Sequence, residues 1–142
     1  MKTVHQLLEA KGAAIVSVSS DTKVIDALRV MAEREIGAVL VIDNGQLVGI
    51  MSERDYARKV VLKGKSSQEI HVRDIMTERV IYVRPQQTVP DCMALMTNKR
   101  IRHLPVLDGE RLVGILSLGD LVKETISEQE FIIRQLENYI HG

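Results

Sequence analysis

Residues 49–55 read GIMSERD and residues 114–120 read GILSLGD, so one phrase, Gly-Ile-x-Ser-x-x-Asp, is written twice, 65 positions apart. Sliding the chain on itself by that offset extends the match in both directions. Val18, Val24, Asp26 and Met31 meet Val83, Val89, Asp91 and Met96. Ile36, Val41 and Asp43 meet Ile101, Val106 and Asp108, and Leu47-Val48-Gly49-Ile50 meets Leu112-Val113-Gly114-Ile115. No gap is needed, and unmatched positions keep their character, as in Val16 with Ile81 and Leu28 with Met93. The chain is an internal duplication.

Each copy reads strand, helix, strand, strand, helix. The first strands are AAIVSV at 13–18 and RVIYV at 79–83. In the helix that follows, Val24, Leu28 and Met31 share a face at i, i+4, i+7. Thr88, with Pro90 and Asp91 behind it, is an N-cap in the second copy. Its counterpart Lys23 is a poor cap, which points to Thr22 in the first. Asn44-Gly45 between AVLVID and QLVGIM marks a hairpin, since both residues accept positive φ; Gly109-Glu110 puts Gly where a type II′ turn needs it. A last helix starts near the Ser of each phrase and carries Tyr56, Val60 and Val61, or Leu121 and Val122. The polar stretch LKGKSSQEIHVRD (62–74) reads as the linker. One copy alone buries too little surface to be comfortable. The expectation is therefore an α/β (α+β) fold, two repeats sharing a core about a pseudo-twofold axis, with a cleft between them. The division by sequence is 1–65 for the first repeat and its leading segment, 66–125 for the second, and 126–142 for a C-terminal amphipathic helix.

Composition narrows the function. Of 142 residues, 19 are Lys or Arg and 19 are Asp or Glu, so no basic field argues for nucleic acid or a membrane surface. Aromatics at 3% give no base-stacking platform. The longest apolar run, near 36–42, is far below the ~20 residues of a membrane span. The N-terminal MKTVHQLLEAKG has no apolar signal core, and the lone Cys92 forms no internal disulfide, so the expectation is a cytoplasmic protein. His5, His71, His103 and His141 lack metal-ligand spacing.

The phrase itself has two readings. A strand running straight into a helix start offers free N–H groups and a positive dipole end, an anion site to which the hydroxyl of Ser52 or Ser117 adds a donor. Asp55 or Asp120, one turn on, could accept from the paired hydroxyls of a ribose. Ser-x-x-Asp is equally a capping box that needs no ligand. Arg54, Arg58 and Lys59 in the first turns oppose the helix dipole, and a phosphate would relieve them; the other reading is a solvated face paired with Glu53 or Asp55. The second copy has Gly119 in place of Arg54, and its bases stand in NKRIRHLPV, so the two sites are not expected to be equivalent.

At this point the chain resembles a known family. The repeat with VRDIMT (72–77), IGAVLVID (36–43), LVGIMSERDYARKVVLKGKSS (47–67), IRHLPVLD (101–108) and LVGILSLGDLV (112–122) is similar to a pair of CBS domains, or Bateman module, of the stand-alone bacterial type, over residues 7–125. The resemblance implies an adenosyl ligand: AMP, ADP, ATP, NAD(H) or S-adenosylmethionine, with Mg joining a polyphosphate. It implies Ser52 and Ser117 on phosphate and Asp55 and Asp120 on ribose. It places the base against Val16, Ser17, Ala38 and Val39 in one copy, and against Ile81, Tyr82, His103, Leu104 and Pro105, beside Arg102, in the other. Thr77 and Lys11 take equivalent places facing phosphate. Leu40 stands where the second copy has Pro105, a departure from the family pattern. His103 is also readable as a packed residue, and Cys92 and Met96 as core.

Residues 122–142 read as an amphipathic helix, capped by Ser127 with Glu130, with a stripe of Phe131, Ile132, Leu136, Tyr139 and Ile140. The resemblance favours a second copy against that stripe, a homodimer. The leading function is a regulatory adenine-nucleotide sensor. The rivals are a dimerisation scaffold whose phrases are only caps, and a nucleotide-processing enzyme, against which stands the lack of a paired carboxylate, triad or metal cluster in the pattern.

Overall fold

The computed structural model describes residues 2–12 and 14–141. It packs as two compact units that do not follow the repeat boundary: one holds residues 14–81, the other residues 2–12 together with 82–141.

In the 14–81 unit, β1 (Ser17–Val18) pairs in parallel with β2 (Ala38–Asp43), which pairs antiparallel with β3 (Gln46–Ser52). Between β1 and β2 runs α2 (Val24–Arg34), following α1 (Val4–Lys11) of the other unit in chain order. The β2–β3 turn is the one read from sequence, with Asn44 at φ 51° and Gly45 at φ 77°. After β3 comes the short α3 (Glu53–Tyr56), which widens into a π-helical stretch at Ala57–Val61. A 3₁₀ turn, Val72–Asp74, closes the unit. Val24, Ala27 and Met31 pack with Val39, Val41, Met51, Val60, Val72 and Ile75 as its core, where alternating strand residues meet one helix face.

Two expectations change here. The cap of α2 is not Thr22, whose hydroxyl instead accepts from the Ser19 N–H. Lys23 takes the cap position without a side-chain bond, and the first helical N–H groups of Val24 and Ile25 donate to the carbonyls of Ile70 and Ser67. The stretch 62–74 is accordingly no mere linker: it terminates a helix and contributes buried Val72. Val61, expected on the packed face, is 54% exposed.

In the other unit, β4 (His103–Asp108) pairs antiparallel with β5 (Arg111–Ser117), with α4 (Val89–Lys99) before them. Gly109 has φ 64°, as the type II′ turn requires. The register slip between Val106 and Leu107 repeats that between Val41 and Ile42, so the duplication extends to the bulges. The expected strand at 79–83 is reduced to a single bridge of Val83 to Val106, and the one at 13–18 to two residues, Ala13 lying outside the described residues. Thr88 caps α4 with Asp91 as read. Cys92 and Met96 are core; burial pushes the Cys92 thiol up to about 11, helped by the Asp91 charge.

The N-terminal α1 belongs to this second unit. The Val4 N–H donates to the Gln87 carbonyl, and the Val89 N–H donates to Lys2. The same role in the first unit falls to residues 71–77, where the Val72 N–H donates to Thr22. Leu8 of α1 presses on Gly114 as Met76 presses on Gly49: a Cβ would lie 2.7 Å from Leu8 Cδ2 in one case and from Met76 Sδ in the other. The glycine that opens each phrase is there for this close approach.

The tail departs most from expectation. A single helix, α5 (Leu118–His141), runs from the phrase to the end, so Ser127 and Glu130 lie inside it and no second helix starts there. Continuity costs nothing locally, because residues 122–130 contain neither Gly nor Pro to break the first helix.

Candidate functional site

Both phrases build the same local frame. The Ser52 N–H donates to Asp55 Oδ2 at 2.9 Å, and the Asp55 N–H donates back to Ser52 Oγ at 3.3 Å. The Ser117 N–H donates to Asp120 Oδ2 at 2.8 Å, and the Asp120 N–H to Ser117 Oγ at 3.1 Å. These are complete capping boxes. The expectation of free N–H groups at these helix starts is corrected. The Glu53 N–H donates to the Gly37 carbonyl at 3.1 Å and the Leu118 N–H to Arg102 at 2.8 Å, so two of the first three donors are used inside the protein.

The carboxylates are also engaged by cations. Asp55 Oδ1 takes Lys59 Nζ at 3.1 Å and the Thr77 hydroxyl at 3.3 Å. Asp120 Oδ2 takes Lys11 Nζ at 2.6 Å. Lys11 Nζ also donates to the Ile115 carbonyl, and the Thr77 N–H donates to the equivalent Ile50 carbonyl, both at 2.8 Å. Thr77 and Lys11 thus do hold equivalent places, but they face the aspartate and a strand carbonyl. Burial alone raises the Asp120 carboxyl; the Lys11 ammonium and the Ser117 donors outweigh it and hold the group below its ordinary value. Lys59 reaches the Ile75 carbonyl as well, so the first copy's basic cluster is partly spent on structure; Arg54 and Arg58 are exposed.

Strand register sets Ala38 beside Ser52 and His103 beside Ser117. In the second unit an open cleft of about 750 Å³ brings together Arg102, His103, Ser117 and Gly119. Its further walls are Leu118, Val122, Lys123, Ile126, Ser127 and Glu130. Asp120, Leu104 and Pro105 do not line it, and Leu104 and Pro105 are buried. Tyr82 is exposed, with the Arg84 guanidinium 5.4 Å over its ring, a cation–π contact the sequence reading did not name. In the 14–81 unit Ala38 and Val39 are buried, Val16 and Ile81 are half-buried, and Ser17 is exposed. The cleft residues missed from sequence are Leu118, Val122, Lys123, Ile126, Ser127 and Glu130; for Val122, Lys123 and Ile126 the spacing from Gly119 at i+3, i+4 and i+7 was the signal that they share its face. Among the described residues no group of three His, Cys, Asp or Glu side chains could hold a metal, and no helix is long and apolar enough to cross a membrane.

The fold and site define a duplicated α/β module in which each hairpin ends on a capped, cation-paired aspartate. The chain belongs to the CBS-domain family, whose model matches residues 13–62 and 72–127. It is 36% identical over 149 residues to the mitochondrial CBS domain-containing protein CBSX3 of Arabidopsis thaliana, covering 99% of this chain and 72% of that one. A solved CBS-domain protein of Burkholderia ambifaria MC40-6 is 52% identical with TM-score 0.87, covering 90% of this chain and 96% of that one. A CBS domain pair of protein MJ0100, 25% identical with TM-score 0.77 and covering 87% and 99%, was solved in complex with 5′-methylthioadenosine and S-adenosyl-L-methionine.

Proposed function

We propose that this CBS pair is a regulatory sensor, without catalysis of its own, that binds an adenine nucleotide (AMP, ADP, ATP or NAD(H)) and passes its occupancy on through a homodimer. The observation that carries the reading is the cleft of the second unit, where the Ser117 hydroxyl, Arg102 and Gly119 converge. A hydroxyl, a guanidinium and a bare backbone stretch at a helix start suit phosphate oxygens. Beside them Asp120 is held ionised by Lys11, the state that accepts from ribose hydroxyls. Arg58 and Arg54 would serve a second phosphate in the first copy, with Mg joining a polyphosphate there. The adenosyl ligands of MJ0100 support the ligand class, and leave S-adenosylmethionine as an alternative within it. The cytoplasm, where such nucleotides and a reduced thiol coexist, is the compartment this reading assigns.

A second reading, a scaffold whose phrases are only caps, is favoured by the capping boxes being complete without ligand. Thermal melts with millimolar AMP, ADP, ATP, NAD, NADH and S-adenosylmethionine separate the two. Ligand at a hundred times its dissociation constant adds about 2.7 kcal/mol to stability. A melting curve that no ligand moves leaves only the scaffold.

A further inference from the structure

The outer face of α5 carries a pattern that the single chain does not use. Val122, Ile126, Gln129, Ile133, Leu136 and Ile140 follow one another at steps of four, three, four, three and four. That is a heptad seam with Ile126, Ile133 and Ile140 at one core position and Val122, Gln129 and Leu136 at the other. The apolar members stand open to solvent, from 41% exposed at Val122 to 73% at Ile140, and Ile132 and Tyr139 widen the strip on one side. Phe131, though 56% exposed, points to the opposite side of the helix.

We infer that this seam is the surface on which a second copy of the chain docks, its α5 lying parallel and in register. The inference deepens the homodimer reading above, and rests on it, by naming the surface. Three observations choose the occupant. Isoleucine fills all three places of the first core position and leucine one of the second, at Leu136, and isoleucine with leucine in those places favours two parallel strands. Parallel pairing sets Gln129 against the partner's Gln129, where two amides satisfy each other; antiparallel pairing sets each against an isoleucine and leaves it unbonded. The flank positions that face the partner's Lys123, Glu130 and Glu137 in the parallel arrangement are Leu118, Thr125 and Ile132, so no like charges meet. Area agrees: the strip offers on the order of 500 Å² per copy, and about 1,000 Å² for a pair is where specific interfaces begin. The seam starts at Val122 and Ile126, which also wall the candidate cleft, so pairing would bring the partner helix to its rim.

Sedimentation velocity on the full chain tests this. The wild type is expected to be a dimer, Ile133→Glu to weaken it at least about 100-fold, and Phe131→Glu to leave it unchanged. The side chains are exposed, so unchanged circular dichroism confirms that each variant folds. Leu136→Cys should cross-link to itself on oxidation, as only the parallel register allows. A dimer indifferent to Ile133→Glu, or one broken by Phe131→Glu, overturns the seam while leaving dimerisation standing. Failure of Leu136→Cys to cross-link in a chain that dimerises overturns the parallel register. A wild type that is monomeric at all concentrations overturns both the seam and the homodimer reading.

Discussion

Lys11 Nζ lies 2.6 Å from Asp120 Oδ2, bridging from the end of α1 to a phrase 109 residues further along the chain. The equivalent Asp55 draws its cation from its own helix, Lys59 at i+4. The duplicated sites therefore each pair their aspartate with a lysine, by two routes. Asp55 has both oxygens committed, Oδ2 to Ser52 and Oδ1 to Lys59 and Thr77, whereas the bonds to Asp120 gather on Oδ2.

Lys11→Met should destabilise the protein in a pH-dependent way. Asp120 is depressed in the folded state, so its contribution is present above the unfolded carboxyl value of about 3.9 and is lost as pH falls through the lower folded value. Lys11 is 37% exposed, so solvent screening limits the loss to about 1 kcal/mol at pH 7. Urea melts at pH 7, 5 and 3 should show the gap between variant and wild type closing in acid. A gap constant with pH would mean that Lys11 acts by packing alone.

Asp55→Ala and Asp120→Ala should separate cap from ligand. Each loses its capping box, at about 1 kcal/mol. Each also strands a cation, Lys59 or Lys11, and Asp55→Ala strands the Thr77 hydroxyl besides, so its stability loss is the larger. Asp120→Ala should show the larger loss of nucleotide affinity, roughly 1.5–3 kcal/mol for a charge-assisted bond. Denaturation and calorimetric titration of both variants read the two quantities; unchanged affinity in both would sink the ribose role.

Arg102, which lines the cleft, meets phosphate and not the nucleoside if the proposed function holds, so Arg102→Ala should then cost more affinity for AMP or ATP than for adenosine. Titration of all three ligands into wild type and variant checks it. Equal losses would place Arg102 in the fold and outside recognition.

Gly114→Ala should destabilise by about 1–3 kcal/mol, since its Cβ would meet Leu8 Cδ2 at 2.7 Å. The same substitution should cost less in a Leu8→Ala background, and a double-mutant cycle measures the difference. An additive pair would refute the packing account of the phrase glycine.

Cys92 should resist a disulfide reagent at pH 8 in the folded protein and react at once in urea. Its thiol is buried and raised to about 11, so almost no thiolate is present or accessible. Rapid labelling of the folded chain would contradict its place in the core.

What the sequence determined by itself is what neighbours along the chain decide. Asn44-Gly45 and Gly109 set their turns, Thr88 with Asp91 capped α4, and the doubled phrase announced two capping boxes, because each partner lies within three residues and its residue type is the signal. The repeat offset then carried the hairpin register from one copy to the other. What only the tertiary structure decided depends on backbone groups and distant segments. The cap of α2 comes from the carbonyls of Ser67 and Ile70, and any residue has a carbonyl, so no residue type could announce it. That α1 packs with residues 82–141, with Leu8 on Gly114 and Lys11 on Asp120, follows from long-range packing. In the same way a capping box written at Ser127 and Glu130 was overridden, because a helix already running from Leu118 gains one hydrogen bond for each residue it adds, while a new start would have to nucleate again.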